Sequence, residues 1–268
     1  MKELTLNELQ KLNLEILSDI HSFCEQNDIM YSLMYGTLIG AIRHKGFIPW
    51  DDDIDIIMPR KDFERFINLY QSPDFELVSP NDPNSYILFA RVCDTKKTKV
   101  IGTYPWYKYN TGVWIDIFPA DGVEESEDVF NKRIDHLRIF WQKQLKIRGA
   151  LRPLKEVKGI ELLKLLIKKI IYTKNIKIHN QKHKRIAEQV EFGSTKFWGQ
   201  LSCIDSSKNN YYKIEDFKTT VLTQFENKQF RIMNGYDNVL RKCYGDYLQL
   251  PPINQRKPKQ SHMHIYWI

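Results

Sequence analysis

The amino-acid sequence predicts an α/β protein: a mixed sheet with helices packed on it and a basic helical region inserted after about residue 124. Three observations predict it. Residues 6–23 carry apolar side chains at helical spacing. Residues 53–56 alternate with the period of two that marks a strand, and 86–118 breaks into further strand-like runs. Beyond residue 124 the pattern returns to helical spacing with a large excess of Lys and Arg.

Thr5 with Glu8 has the form of a capping box, and Leu6, Leu9, Leu12, Ile16, Ile20 and Phe23 continue one helical stripe to about Asp28. Met30–Met34 reads as a short strand ending at Gly36-Thr37. A helical turn over Leu38–Arg43 then places that pair at a helix N-terminus, where backbone N–H groups can hold phosphate oxygens. Gly46 and Pro49 break the chain before the strand Asp53-Ile54-Asp55-Ile56, on which Asp53 and Asp55 point to the same face. Pro59 ends that strand, and Phe63, Phe66, Ile67 and Tyr70 line a following helix. Strands are expected over Tyr86–Cys93, Lys99–Tyr104 and Gly112–Phe118, the last with Asp116 alone among apolar neighbours. A carboxylate so placed needs a partner, and a metal shared with Asp53 and Asp55 is the economical one. Ile160, Leu163, Leu166, Ile167, Ile170 and Ile171 form an apolar stripe on a helix that also carries Lys164, Lys168 and Lys169. Phe225–Ile232 reads as a strand, Asp237–Tyr247 as a helix, and Asn254–Gln260 as a loose, basic tail.

Composition bounds the function. With 268 residues, 42% hydrophobic and 13% aromatic, the chain can bury an ordinary globular core. No apolar run reaches the roughly 18 residues of a membrane span, and the first residues lack the pattern of a secretory signal, so a cytoplasmic protein is expected. Cys24, Cys93, Cys203 and Cys243 are too scattered for a zinc knuckle or a disulfide framework and read as reduced thiols. The net charge of +7 is uneven: residues 141–185 hold 14 Lys or Arg against 2 Glu, a local +12 that leaves −5 for the rest. Such a segment suits an acidic partner. For 155–187 the readings are a solvated helical face, peripheral docking to an anionic membrane or to a polyanionic, lipid-linked acceptor, and, last, nucleic acid; no nucleic-acid-binding module accompanies the charge.

The chemistry concentrates in residues 35–57. Gly36 and Thr37, the basic Arg43, His44 and Lys45, and the acidic Asp51, Asp52, Asp53 and Asp55 are the groups needed to hold a phosphate and a divalent cation together. A Gly-Thr pair, a D-x-D strand and a later strand Asp follow the plan of the nucleotidyltransferase fold. Asp53, Asp55 and Asp116 are the expected ligands of Mg2+ or Mn2+. Asp51 and Asp52 remain open between ligation and holding the loop. In the aromatic run Tyr104, Trp106, Tyr107, Tyr109 and Trp114, a hairpin buried in the core is favoured over a cage for a quaternary ammonium ion. His179 and His183 are four apart, but Asn180 replaces the Glu of an H-E-x-x-H motif, so a solvated basic helix is expected.

Residues 36–40 with 43–56 resemble the LicD family of phosphocholine transferases, which is related to the fukutin-related glycan phosphoribitol transferases. Trp114–Pro119 with Asp121-Gly122 is similar to a second family signature, and Tyr244–Tyr247 with Leu250-Pro251-Pro252 to a third. The resemblance implies a catalytic core, placed over 1–124 and completed by a C-terminal segment, 201–268, while charge and helical spacing mark 125–200 as a basic helical region. The resemblance also implies transfer of a phospho-alcohol from a CDP-linked donor, CDP-choline in bacterial members, to a sugar hydroxyl of a teichoic acid or lipopolysaccharide precursor, with CMP leaving. Phosphoribitol or phosphoethanolamine transfer, and a non-catalytic RNA- or glycan-binding descendant, are the alternatives. On this reading Asp53, Asp55 and Asp116 carry the metal, Gly36 and Thr37 present donors to phosphate oxygens, Arg43 clamps a phosphate, and Lys45 acts as a mobile charge. Asp116 is also placed to orient or deprotonate the acceptor.

Overall fold

The computed structural model describes residues 1–268 except 83–84, 86, 103–110, 152–153, 155–156, 174–175, 205–210 and 259–262. Helix α1, Leu6–Gln26, starts at the Thr5–Glu8 capping box and buries Leu12, Ile16, Leu17 and Ile20. It leads to β1, Ser32–Leu33, and then to α2, Tyr35–Ile39, which continues without a break into a π-helical turn over Gly40–His44. Lys45 closes that turn in the left-handed region at φ 58°.

Strand β2 spans Asp55–Pro59 and α3 spans Arg60–Leu69, with Phe63, Phe66 and Ile67 buried. The strand thus begins two residues later than the alternation suggests, although the Ile54 carbonyl already accepts from the Asp116 N–H at 3.2 Å. The remaining strands of the central sheet are β3, Glu76–Val78; β4, Ala90–Cys93; β6, Trp114–Val123; β7, Phe197–Gln200; and β8, Tyr212–Lys213. Strand β5, Thr98–Gly102, lies outside that sheet. The order β1-β2-β6-β4-β3 makes β6 central, parallel to β2 and antiparallel to β4, while β7 pairs with the end of β6 and with β8. The sheet is mixed, as expected. Every residue of β6 except Asp116 is buried, which explains its nearly unbroken apolar sequence.

Several boundaries differ from the sequence reading. The strand expected over Phe225–Ile232 is a hairpin, β9 at Thr220–Phe225 and β10 at Lys228–Met233. Glu226, at φ 55°, supplies the left-handed turn that the apolar pattern hides. After α7, Tyr236–Tyr244, and a short 3-10 turn at Ile253–Gln255, the chain ends in β11, Met263–Trp267, paired with β5. The sequence pattern assigns no element to this last strand, which lies beyond the tail expected over Asn254–Gln260.

Helices α4, Glu127–Ala150; α5, Gly159–Thr173; and α6, Ile176–Ala187, make up the basic region. One expectation here is corrected. His179 and His183 are not on a solvated face: both are buried, and loss of water lowers their pKa values to about 4 and about 3. Their face of α6 packs inward because residues 176, 179, 180, 183 and 187 share one side of the helix. The four cysteines are free thiols, Cys24 and Cys93 buried and the others half-buried. Of the aromatic run, Trp114 is buried, whereas Tyr104, Trp106, Tyr107 and Tyr109 lie outside the described residues.

Candidate active site

A row of charged side chains crosses the middle of the sheet. Asp55 on β2 and Arg91 on β4 are both register partners of Asp116 on β6, so the three stand side by side across adjacent strands. Arg91 reaches Asp116 with Nε to Oδ1 at 2.5 Å and Nη2 to Oδ2 at 3.4 Å. Its guanidinium also lies 4.8 Å from the centre of the Trp114 ring. Burial raises the Asp116 pKa, Arg91 opposes the rise, and the charge of Asp53 adds to it. Asp53 therefore lies within electrostatic reach of Asp116.

Arg91 was missed by sequence reasoning, although the signal was present. It is the single charged residue of Phe89–Cys93, as Asp116 is of Trp114–Phe118. Two lone opposite charges in neighbouring buried strands are each other's natural partners. The isolation of Asp116 consequently does not by itself require a metal.

The acidic loop before β2 is not a solvated turn. Asp51 and Asp52 are buried, and Asp51, Asp52 and Asp53 bring carboxylate oxygens within 4.8 Å of one another. Helix α1 fixes their backbone: Gln10 Nε2 donates to the Asp51 carbonyl at 2.9 Å, and Asn13 Nδ2 to that of Asp52 at 3.3 Å. Asn13 is wholly buried on the apolar stripe of α1, and a polar residue at a core position was the available sequence signal for this role. Oxygen-only donors crowded at this spacing fit a hard divalent cation. The geometry thus brings Asp51 and Asp52, left open from sequence, into one cluster with Asp53, while Asp55 and Asp116 stand on the adjoining strands.

Thr37 is buried, and its Oγ1 accepts the Asp55 N–H at 2.9 Å, tying the first turn of α2 to the start of β2. Gly36 lies beside it on the wall of a cleft of about 440 Å3. That cleft is lined by Gly36, Ile39 and Arg43 from the helical segment, by Trp50 and Asp51 from the acidic loop, by Tyr244 at the end of α7, and by Asp246 and Tyr247 just after it. Two of the sequence signatures, almost 200 residues apart, meet here. Arg43 joins them, donating from Nη1 to the carbonyls of Tyr247 at 2.5 Å and Gln249 at 3.1 Å. Tyr244 keeps 40% of its surface exposed. Loss of water, then the Cys243 thiol and the charges of Asp55, Asp51 and Asp53, push its pKa up. Lys45 is exposed and is not among the residues lining the cleft.

The second signature divides in two. Asp116 belongs to the site, whereas Asp121 is buried in an ion pair with Arg60 of α3, Nε to Oδ1 at 2.7 Å and Nη2 to Oδ2 at 2.9 Å. Gly122 meets the 191 backbone so closely that a Cβ would lie 2.2 Å from the Glu191 carbonyl oxygen. Asp121 thus ties α3 to the sheet, and Gly122 lets the loop after α6 pack against it.

A mixed α/β core with carboxylates at adjoining strand positions and a cleft at one end is the construction of a nucleotidyltransferase-type domain. Residues 28–158 match the family model described as LicD/FKTN/FKRP, nucleotidyltransferase domain. The chain belongs to the LicD family. It is 33% identical over 270 residues to the lipopolysaccharide cholinephosphotransferase LicD of Haemophilus influenzae, an alignment that covers 96% of this chain and 97% of that one. Shorter matches reach two uncharacterized proteins. One, of Rickettsia typhi, is 40% identical over 63 residues (23% of this chain, 20% of the relative); the other, of Rickettsia prowazekii, is 44% identical over 48 residues (18% of each).

Proposed function

We propose that this protein transfers phosphocholine from CDP-choline to a sugar hydroxyl of a bacterial surface glycan, a lipopolysaccharide or teichoic acid precursor, and releases CMP. The observation that carries this reading is the end-to-end relation to a cholinephosphotransferase, together with an acidic cluster beside a cleft of ligand size. In the reaction the acceptor oxygen forms a bond to the phosphorus that carries choline, the bond from that phosphorus to the CMP oxygen breaks, and the hydroxyl proton passes to a carboxylate. Asp116 is the proposed acceptor of that proton, its carboxylate held in orientation by Arg91.

Asp53, Asp55 and Asp116 are the proposed holders of Mg2+ or Mn2+, with Asp51 and Asp52 completing the cluster. When bound, the cation would neutralise the charge that develops on the leaving CMP phosphate. Gly36 and the backbone of the first turn of α2 face the phosphates. Thr37 acts indirectly, through its bond to the Asp55 amide, and so positions the carboxylates. Arg43 holds the segment after α7 at the cleft, which is compatible with contact to a phosphate from its remaining N–H groups.

The test is CMP release from CDP-choline in the presence of Mg2+ or Mn2+ and a panel of glycan repeat units. Turnover with CDP-choline, lost on chelation, is expected. Asp53→Asn combined with Asp55→Asn should lower turnover by at least ~1,000-fold while leaving the urea midpoint near that of the parent. Turnover with CDP-ribitol or CDP-ethanolamine but not with CDP-choline would change the transferred group. Retained activity in the double variant would remove these carboxylates from the reaction.

A further inference from the structure

Helix α5 is apolar on two opposite sides. Leu165 is buried, and Leu162 and Tyr172 beside it are half-buried against the rest of the protein. Two residues along a helix turn the side chain through roughly 200°, so Leu163 and Ile167 point away from Leu165. With Ile160, Leu166, Ile170 and Ile171 they form a stripe whose members are 39% to 72% exposed. The stripe runs the length of the helix, far more than scattered surface apolar residues supply. Lys164 and Lys168, four residues apart, run along one flank, Lys164 also pairing with Glu161 at 2.6 Å.

We propose that α5 is a membrane-docking helix that lies in the interface of an anionic phospholipid bilayer, its outward stripe among the acyl chains and its lysines at the headgroups. An apolar stripe bordered by lysines is the arrangement that such an interface accommodates. The helix has 15 residues, short of the roughly 20 that span a bilayer, and among the described residues no helix is long and apolar enough to cross one. The occupant is chosen by charge. Residues 141–185 carry a net +12, which draws the region to anionic lipid, whereas two copies meeting through this face would bring their lysines together. The proposal goes beyond electrostatic attraction, because it assigns the holding contact to named apolar side chains. It is independent of the donor and acceptor assigned above.

The experiment is co-sedimentation of the full chain with vesicles of phosphatidylglycerol and phosphatidylcholine, against phosphatidylcholine alone. The parent should partition onto the anionic vesicles at least about ten-fold more strongly. Leu163→Ser with Ile167→Ser and Ile170→Ser should reduce that partition by about ten-fold or more, and Lys164→Gln with Lys168→Gln by several-fold with a weaker salt dependence. Circular dichroism establishes that each variant is folded, and Ile170→Ser alone, at the most exposed position of the stripe, serves if the triple variant is not. Parent protein that ignores anionic vesicles overturns the proposal. So does undiminished binding by the folded serine variants. A parent that is dimeric by light scattering, becomes monomeric in the serine variant and does not bind vesicles would identify the face as a contact between copies instead.

Discussion

Arg91 is the residue on which the arrangement of the site depends most directly. Its guanidinium, seated on Trp114, is held by packing as well as by charge, and it presents two donors to Asp116. Removing it would leave a carboxylate in the sheet without its cation. Arg91→Met should therefore lower stability by about 3 kcal/mol in urea denaturation, and Asp116→Asn added to it should restore at least half of the loss. Simple additivity of the two substitutions would show that the pair does not act as a unit. Asp116 stands out within its own strand, but its partner lies 25 residues away on a strand whose neighbour is set by sheet order. A period of two tells which face a residue takes, not who stands beside it.

At the scale of elements, the segment that carries the Gly-Thr pair is locked against the loop it precedes. A Cβ on Gly40 would lie 2.5 Å from the carbonyl oxygen of Gly46, and backbone cannot move aside as a flexible side chain can. The loop is held from its other side by the hairpin: the Glu226 N–H donates to the Lys45 carbonyl at 2.7 Å, and the Glu226 carboxylate accepts the Phe47 N–H at 2.9 Å. Gly40→Ala should lower stability by about 1–3 kcal/mol and reduce turnover beyond what the loss of folded protein explains. Unchanged urea midpoint and turnover would mean that the two segments can separate without consequence. The break at Gly46 was legible in the sequence. The hairpin that buttresses it was not, because Glu226 takes a left-handed conformation more typical of Gly, Asn or Asp and so carries no turn signature.

The molecule as a whole is built to keep two imidazoles neutral. His179 and His183 have pKa values of about 4 and about 3 in the folded state, below the ordinary value, because both are buried; positive neighbours, Lys143 for the first and Arg60 for the second, add to the effect. In the unfolded chain both titrate near 6.5. As pH falls below that value the unfolded state binds protons that the folded state cannot, and stability declines until the folded pKa values are reached. Near pH 5 the cost approaches about 2 kcal/mol for each histidine. The urea midpoint should therefore drop between about pH 7 and about pH 5, and His183→Gln should flatten the decline. A midpoint independent of pH over that range would mean that these rings are not held neutral.

Local order was the part of this protein that the sequence by itself determined. The capping box of α1, the apolar faces of α1 and α3, the strand character of β2, β4 and β6, and the concentration of acidic groups near Asp53 all follow from spacing along the chain, which governs neighbours within a turn or a strand. The tertiary structure alone decided which groups meet. It set Arg91 beside Asp116, turned His179 and His183 inward while leaving the stripe of α5 outward, and brought Tyr244–Tyr247 to Arg43 across some 200 residues. Periodicity cannot register such pairings, because they depend on strand order and on which face of each helix finds a surface to bury against, and both are properties of the packed chain.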